Sequence, residues 1–400
     1  MPTRPTSALL LVAATLAALP GVPGLPASWG RRAAAQELVL GDDGRLESGR
    51  LVAIDDRFVV WRDPSGEIRQ MPLASCIAVS VENPLPIVSP DAGVMELADG
   101  QVFPGRIGLN NGRLTWRHAL VGETPIDIER LRSLQLLAGV KVPVARDADV
   151  VVLANGDRVE GVVTSLGTAI EVEPLTGGVA GQKPEPIAIP LERVAALSLV
   201  TPQVRLAGAV VWFADGTVIE AESPRLGDDG LVRLRPAFVD AGGAGSLSVP
   251  MEQVSGIVFR AEAIQPLADL DPVSVEGPVE RFRVPAPRAD DRGPASFGVS
   301  PIWMSGPIVV RYVLPEPGMR FLARAVLPRK DRGWGDLEIV VRDGARELLR
   351  SRLDAQHPAV AIDLPISGTD LTIELLEGRN GPVQDTVLLL RPLLIPNRQA

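Results

Sequence analysis

Residues 149–163 read DVVVLANGDRVEGVV, two apolar runs about a two-residue turn. Asn155-Gly156 is a dipeptide suited to the positive φ of a tight hairpin turn. The flanking runs, Val150–Leu153 and Arg158–Val163, are rich in β-branched residues and form its two strands. The pattern occurs four times, at Asp43-Gly44, Asp99-Gly100, Asn155-Gly156 and Asp215-Gly216, with spacings of 56, 56 and 60 residues. Five positions after each of these glycines stands Gly49, Gly105, Gly161 and, in the fourth copy, Ala221. A regular self-similarity of this length marks repeated structural units.

Each copy ends on a related apolar segment: MPLASCIAVSV (71–81), IDIERLRSLQL (126–136), IPLERVAALSL (189–199) and VPMEQVSGIVF (249–259). Between the first hairpin and this ending lies a second hairpin, with strands such as Phe58–Arg62 and Glu67–Met71. The ending reads as a short helical turn (Pro190 to Val194) and then a strand (Ala196 to Leu199). One copy is therefore β-β-β-β-turn-β. That order resembles small five-stranded barrels of the SH3-like or Sm-like type, in pattern and not in signature residues. Separate barrels and one continuous sheet built from the repeats both satisfy the pattern. The units are placed at 36–90, 91–140, 141–202 and 203–262.

The chain's 400 residues are enough for several domains, and 46% of them are hydrophobic, enough for packed cores. The net charge of −9 gives no electrostatic footprint for a phosphate backbone, so nucleic acid is not an expected partner. Residues 1–35 have the build of a secretory signal: Arg4, then the apolar run Ser7–Leu19, then Ala33-Ala34-Ala35 before a cut at Gln36. The run is too short to span a bilayer comfortably, and no later segment reaches transmembrane length. A secreted or periplasmic protein is expected, with no membrane span after cleavage.

No residue cluster selects a catalytic or metal site, and no cofactor is expected. Cys76, the single cysteine, aligns with Leu131, Val194 and Val254, so it is read as a buried structural thiol. His118 and His357 stand in different units and outside any metal-ligand spacing. The aspartates of the turn pairs, and the acid pairs Asp42-Asp43, Asp228-Asp229 and Asp290-Asp291, are read as turn-forming and solvated. A hydrolase therefore has the least support.

The Pro- and charge-rich stretch 263–292 reads as a linker lying over the next domain. Seven strands follow within 293–397: IVVRYVL (308–314), RFLARAVL (320–327), DLEIVVRDG (336–344), ELLRSRL (347–353), AVAIDL (359–364), DLTIELLEG (370–378) and DTVLLLRPLLI (385–395). About this many alternating strands in one domain predict a β-sandwich.

This last domain resembles the novel putative carbohydrate-binding module (NPCBM) family. The matching residues are Ile308–Leu314 with its Tyr-x-Leu end, Arg320-Phe321, Ile339–Gly344 with its Asp-Gly hairpin, Thr369–Leu375, and Gly381 with Asp385. The resemblance implies a jelly-roll sandwich and a sugar ligand. Two features of sugar-binding members are missing here. Their histidine before the Tyr-x-Leu strand falls near Ser305, and Leu388-Leu389 replace an Asp-Trp pair. Trp303 and Trp334, expected in loops, are the candidate replacements; Asp385 is a third candidate ligand contact, with loop capping as its other reading. The expectation is thus an all-β, exported, non-catalytic protein of tandem β-barrel repeats and a C-terminal jelly-roll-type sandwich. Its expected partner is a glycan, or else a protein of the cell envelope that it scaffolds.

Overall fold

The structure is a computed structural model that describes residues 37–81, 93–110, 113–175, 185–202, 206, 208–237, 245–277, 285–289 and 299–397. The leader, 1–35, and the pair Asp290-Asp291 lie outside the described residues. The chain is all-β. Repeat 1 is β1 (Glu37–Gly41), β2 (Leu46–Ile54), β3 (Phe58–Arg62), β4 (Ile68–Pro72), a 3₁₀ turn over Leu73–Ser75, and β5 (Cys76–Ser80). Repeat 2 runs β6 (Gly93–Leu97), β7 (Val102–Asn110), β8 (Arg113–His118), β9 (Gly122–Pro125) and β10 (Leu131–Gln135). Repeat 3 runs β11 (Asp149–Leu153), β12 (Arg158–Leu166), β13 (Ala169–Pro174), β14 (Ile187–Pro190) and β15 (Val194–Ser198). Repeat 4 runs β16 (Ala209–Phe213), β17 (Val218–Leu226), β18 (Leu231–Pro236), β19 (Leu247–Pro250) and β20 (Val254–Val258). In repeat 1, four strands pair in sequence and β5 returns to the first strand, antiparallel to β1.

The turn residues act through backbone geometry. Gly44, Gly100, Gly156 and Gly216 all take positive φ, at 79°, 84°, 91° and 91°. The residue before each glycine stays at negative φ and uses its side chain instead. Asp43, Asp99, Asn155 and Asp215 each accept the N–H two residues on, at 2.9, 3.1, 3.2 and 2.9 Å. The second glycine of each copy answers to a close approach. A Cβ on Gly49, Gly105 or Gly161 would stand 2.4, 2.4 and 2.3 Å from the carbonyl oxygens of Arg62, Arg117 and Glu173 on the neighbouring strand.

The two readings of the repeats meet in one arrangement. Each copy keeps its own five-strand order, yet the strands join into one 20-stranded network. The closing strands do the joining. β5 pairs with β20 (Ser80 opposite Gly256), and β10 pairs with β15 (Ser133 opposite Ser198). Repeat 1 is thereby tied to repeat 4, and repeat 2 to repeat 3. Every residue of β5, β15 and β20 is buried, which is why these segments read as continuous apolar runs without alternation. Repeats 2 and 4 meet at their hairpins, where the Glu220 N–H donates to Gln101 Oε1 at 3.1 Å.

The C-terminal domain is a sandwich of two antiparallel sheets. The seven expected strands are β25 (Ile308–Val313), β26 (Met319–Val326), β27 (Leu337–Asp343), β28 (Arg346–Leu353), β29 (Ala359–Ile366), β30 (Asp370–Glu377) and β31 (Thr386–Pro396). Four more precede them: β21 (Gln265–Pro266), β22 (Ser274–Glu276), β23 (Arg288–Ala289) and β24 (Ile302–Ser305). One sheet has the order β23-β24-β31-β26-β29, with β21 also on β31, and the other β22-β25-β30-β27-β28. The expected linker is therefore corrected in part. Its residues supply β21 to β23, with β22 and β23 at sheet edges, and Leu267 is fully buried in the sandwich core. Strands of two or three residues beside prolines leave no periodic signal, and a sheet edge is where proline is tolerated.

A separate apolar cluster joins repeats to sandwich. Leu40, Ile77, Val210 and Val258 of repeats 1 and 4 pack with Leu322, Leu393 and Ile395 of the sandwich.

Candidate functional site

The candidate site lies where the loop 327–336, after β26, meets the loop 378–385, before β31. Trp334 stands on the first loop with 63% of its surface exposed. Its backbone is held from both sides. The Trp334 N–H donates to Gln384 Oε1 at 3.1 Å, and Asn380 Nδ2 donates to the Trp334 carbonyl at 2.9 Å. Gln384 holds a φ of 61°, an uncommon conformation for a residue with a side chain. Gly335 is required by crowding, since a Cβ there would lie 2.7 Å from the Asp331 carbonyl and 2.8 Å from that of Gln384.

Asp385 is buried, at 2% exposure. Its Oδ1 accepts the Asp336 N–H at 3.2 Å, and its carbonyl accepts the Gly306 N–H at 2.6 Å. Oδ2 has no hydrogen-bond partner among the described residues. Burial, assisted by the charges of Asp336 and Glu377, pushes the Asp385 carboxyl up to about 6. Asp336 behaves in the opposite way. A two-pronged contact from Arg352 (2.6 and 2.8 Å) holds it ionised and below the usual carboxylate range, with the Arg379 N–H adding a third bond at 3.1 Å. Asp331 is also buried, and burial pushes its carboxyl up.

Trp303, expected in a loop, sits on β24 opposite Leu388. Its neighbours Ile302 and Met304 point into the sandwich core, so the half-buried Trp303 faces the other way. Strand alternation places it there. Lys330 Nζ lies 5.3 Å from its ring centroid, a cation–π contact. The structure thus brings Asp385 to Trp334 through Gln384 and Asp336, while Trp303 meets the same loop through Lys330. Sequence reasoning missed Asp331, Asp336, Asn380 and Gln384. The signal was the concentration of Gly, Asn and Asp around Trp334 and Asp385, which also fits any ordinary loop.

Cys76 and the two histidines sit in structural surroundings. Cys76 is fully buried, and burial pushes its thiol up to about 12, far from a reactive thiolate. His118 ends β8, buried, with its Nδ1 accepting the N–H groups of Leu120 and Val121 at 3.2 and 3.3 Å. That leaves the proton on Nε2, which donates to Thr217 Oγ1 of repeat 4 at 2.8 Å. His357 is exposed in a turn beside Asp354. Among the described residues no group of three or more His, Cys, Asp or Glu side chains is placed to hold a metal. No described helix is long and apolar enough to cross a membrane.

No family model and no curated protein matches the chain. Among solved structures, it is similar to the CBM51 module of Clostridium perfringens GH95, determined in complex with methyl-galactose. The match has 13% identity and a TM-score of 0.26, over 33% of this chain and 99% of that one. It is also similar to the CBM51-2 and INT domains of Clostridium perfringens ZmpB, with 10% identity and a TM-score of 0.29, over 44% of this chain and 40% of that one.

Proposed function

We propose that the chain is an exported, non-catalytic binding protein that holds a carbohydrate at the Trp334 end of its sandwich. One observation carries the reading. Trp334 is the one aromatic among the exposed large hydrophobic side chains of the described residues, and the loop beneath it is fixed at both its N–H and its carbonyl. A rigid, solvent-facing indole is a platform for the apolar face of a sugar ring. Polar groups of Asn380 and Gln384 flank it, as hydroxyl recognition requires. The NPCBM-like pattern around Asp385 supports the same reading. The test is a glycan array followed by affinity gels with the purified chain and its Trp334→Ala variant. Retardation by a polysaccharide that the variant loses is the expected result, and no retardation by any polysaccharide overturns it.

A scaffolding role has its own observation. Among the described residues β4 and β14 each pair on one side only, with Ile68 and Ile187 exposed on them. Such edges accept a partner's strand. A pull-down from envelope extracts that returns one defined protein, with no glycan bound, favours this role.

A further inference from the structure

A cleft of about 470 Å³ lies between repeat 1 and the sheet that carries β26, β29 and β31. It is remote in chemistry from the Trp334 loops. Repeat 1 contributes Leu38 and Leu40 from β1 and Leu46 from β2, and the sandwich contributes Leu322, Leu393 and the alanines of β29. The lining holds no aromatic ring, no hydroxyl and no amide side chain. The cleft stays open because of residue size. Along the same junction Leu322, Leu393 and Ile395 reach Leu40 and Ile77 and close the space. At β29 the residues facing repeat 1 are Ala359 and Ala361, whose side chains are too short to do so.

Three charged side chains complete the lining: Arg324, Arg391 and Asp363. Asp363 is already engaged by Arg320, at 2.5 and 3.0 Å. Arg324 is exposed and makes no ion pair or hydrogen bond among the described residues. Arg391 sits in a β-bulge, where Arg391 and Pro392 together oppose Ala323, and its φ is 50°. A bulge re-aims a side chain, and here it turns Arg391 to the cleft. An aliphatic wall with the Arg324 guanidinium at its mouth is complementary to one kind of occupant, an aliphatic chain ending in an anion. A saccharide fits less well, because the leucine and alanine part of the wall offers its hydroxyls no hydrogen-bond partner and leaves their desolvation there uncompensated.

We propose that this cleft binds a linear aliphatic carboxylate, with the chain on the leucines and the carboxylate on Arg324. The test is calorimetric titration of the purified chain with decanoate and with 1-decanol, both kept below self-association. Decanoate is expected to bind once per chain and more tightly than the alcohol. Arg324→Gln should weaken it by roughly tenfold or more, the loss of one charge-assisted hydrogen bond. Ala361→Phe should abolish binding by filling the cleft, with its thermal melt confirming a folded chain. Trp334→Ala should leave decanoate binding unchanged, which separates this site from the sugar site. No heat with decanoate, equal affinity for the alcohol, or affinity unchanged in Arg324→Gln overturns the proposal, even if Ala361→Phe fails to fold. Binding to anionic lipid vesicles without binding to free decanoate also overturns it.

Discussion

At the scale of single residues, this protein uses its glycines and acids to shape backbone, and the second glycine of each repeat shows it best. A Cβ at Gly105 would meet the Arg117 carbonyl at 2.4 Å and Trp116 Nε1 at 2.7 Å. Gly105→Ala should therefore cost about 1–3 kcal/mol through overpacking, read from urea unfolding. The fourth copy already carries Ala221 there, so Ala221→Gly should cost only about 0.5–1 kcal/mol, the ordinary price of a flexible backbone. Equal losses at the two positions would contradict the steric account. Asp385 makes a second residue-scale test. Its folded-state pKa is raised to about 6, above the value near 3.9 of an unfolded aspartate. Its protonated form contributes stability that is fully present below the unfolded value and lost as pH rises through about 6. Asp385→Asn should therefore melt higher relative to the parent at pH 7.5 than at pH 4. A constant difference across that range would show that Asp385 stays ionised.

At the scale of elements, the hairpins were legible because three signals coincide in a few residues: an Asp/Asn-Gly turn, β-branched flanks and a repeat. The observed β11 and β12, Asp149–Leu153 and Arg158–Leu166, enclose the strands read from residues 150–163. The closing strands were legible as apolar but not as joints. Nothing in CIAVS says that one edge meets β1 and the other β20, because backbone pairing carries no side-chain code. β21 to β23 were missed because two or three residues show no period. The pairing predicts a gradient in amide exchange. Amides of β5 and β20, buried and paired on both edges, should exchange only on global unfolding, while those of β4 and β14 exchange by local opening. Exchange in β5 as fast as in β4 would mean that repeats 1 and 4 are not joined.

At the scale of the whole molecule, four repeats and a sandwich are tied by strand pairing and by the cluster around Leu40, Ile77, Leu322 and Ile395. The sandwich was legible through its alternating strands, and its loop end through Trp334 and Asp385. The supporting contacts were not, since Asp336 finds Arg352 across a hairpin and Asp385 finds Asp336 from a loop 49 residues on in the sequence. Such pairings depend on tertiary register. They leave the loops rigid and one indole facing solvent, while Trp303 is partly covered by Lys330. This asymmetry gives the most direct test, calorimetric titration of the array-identified oligosaccharide into the parent, Trp334→Ala and Trp303→Ala chains. The account predicts saturable binding to the parent, its loss in Trp334→Ala and its retention in Trp303→Ala. Undiminished affinity in Trp334→Ala would contradict it.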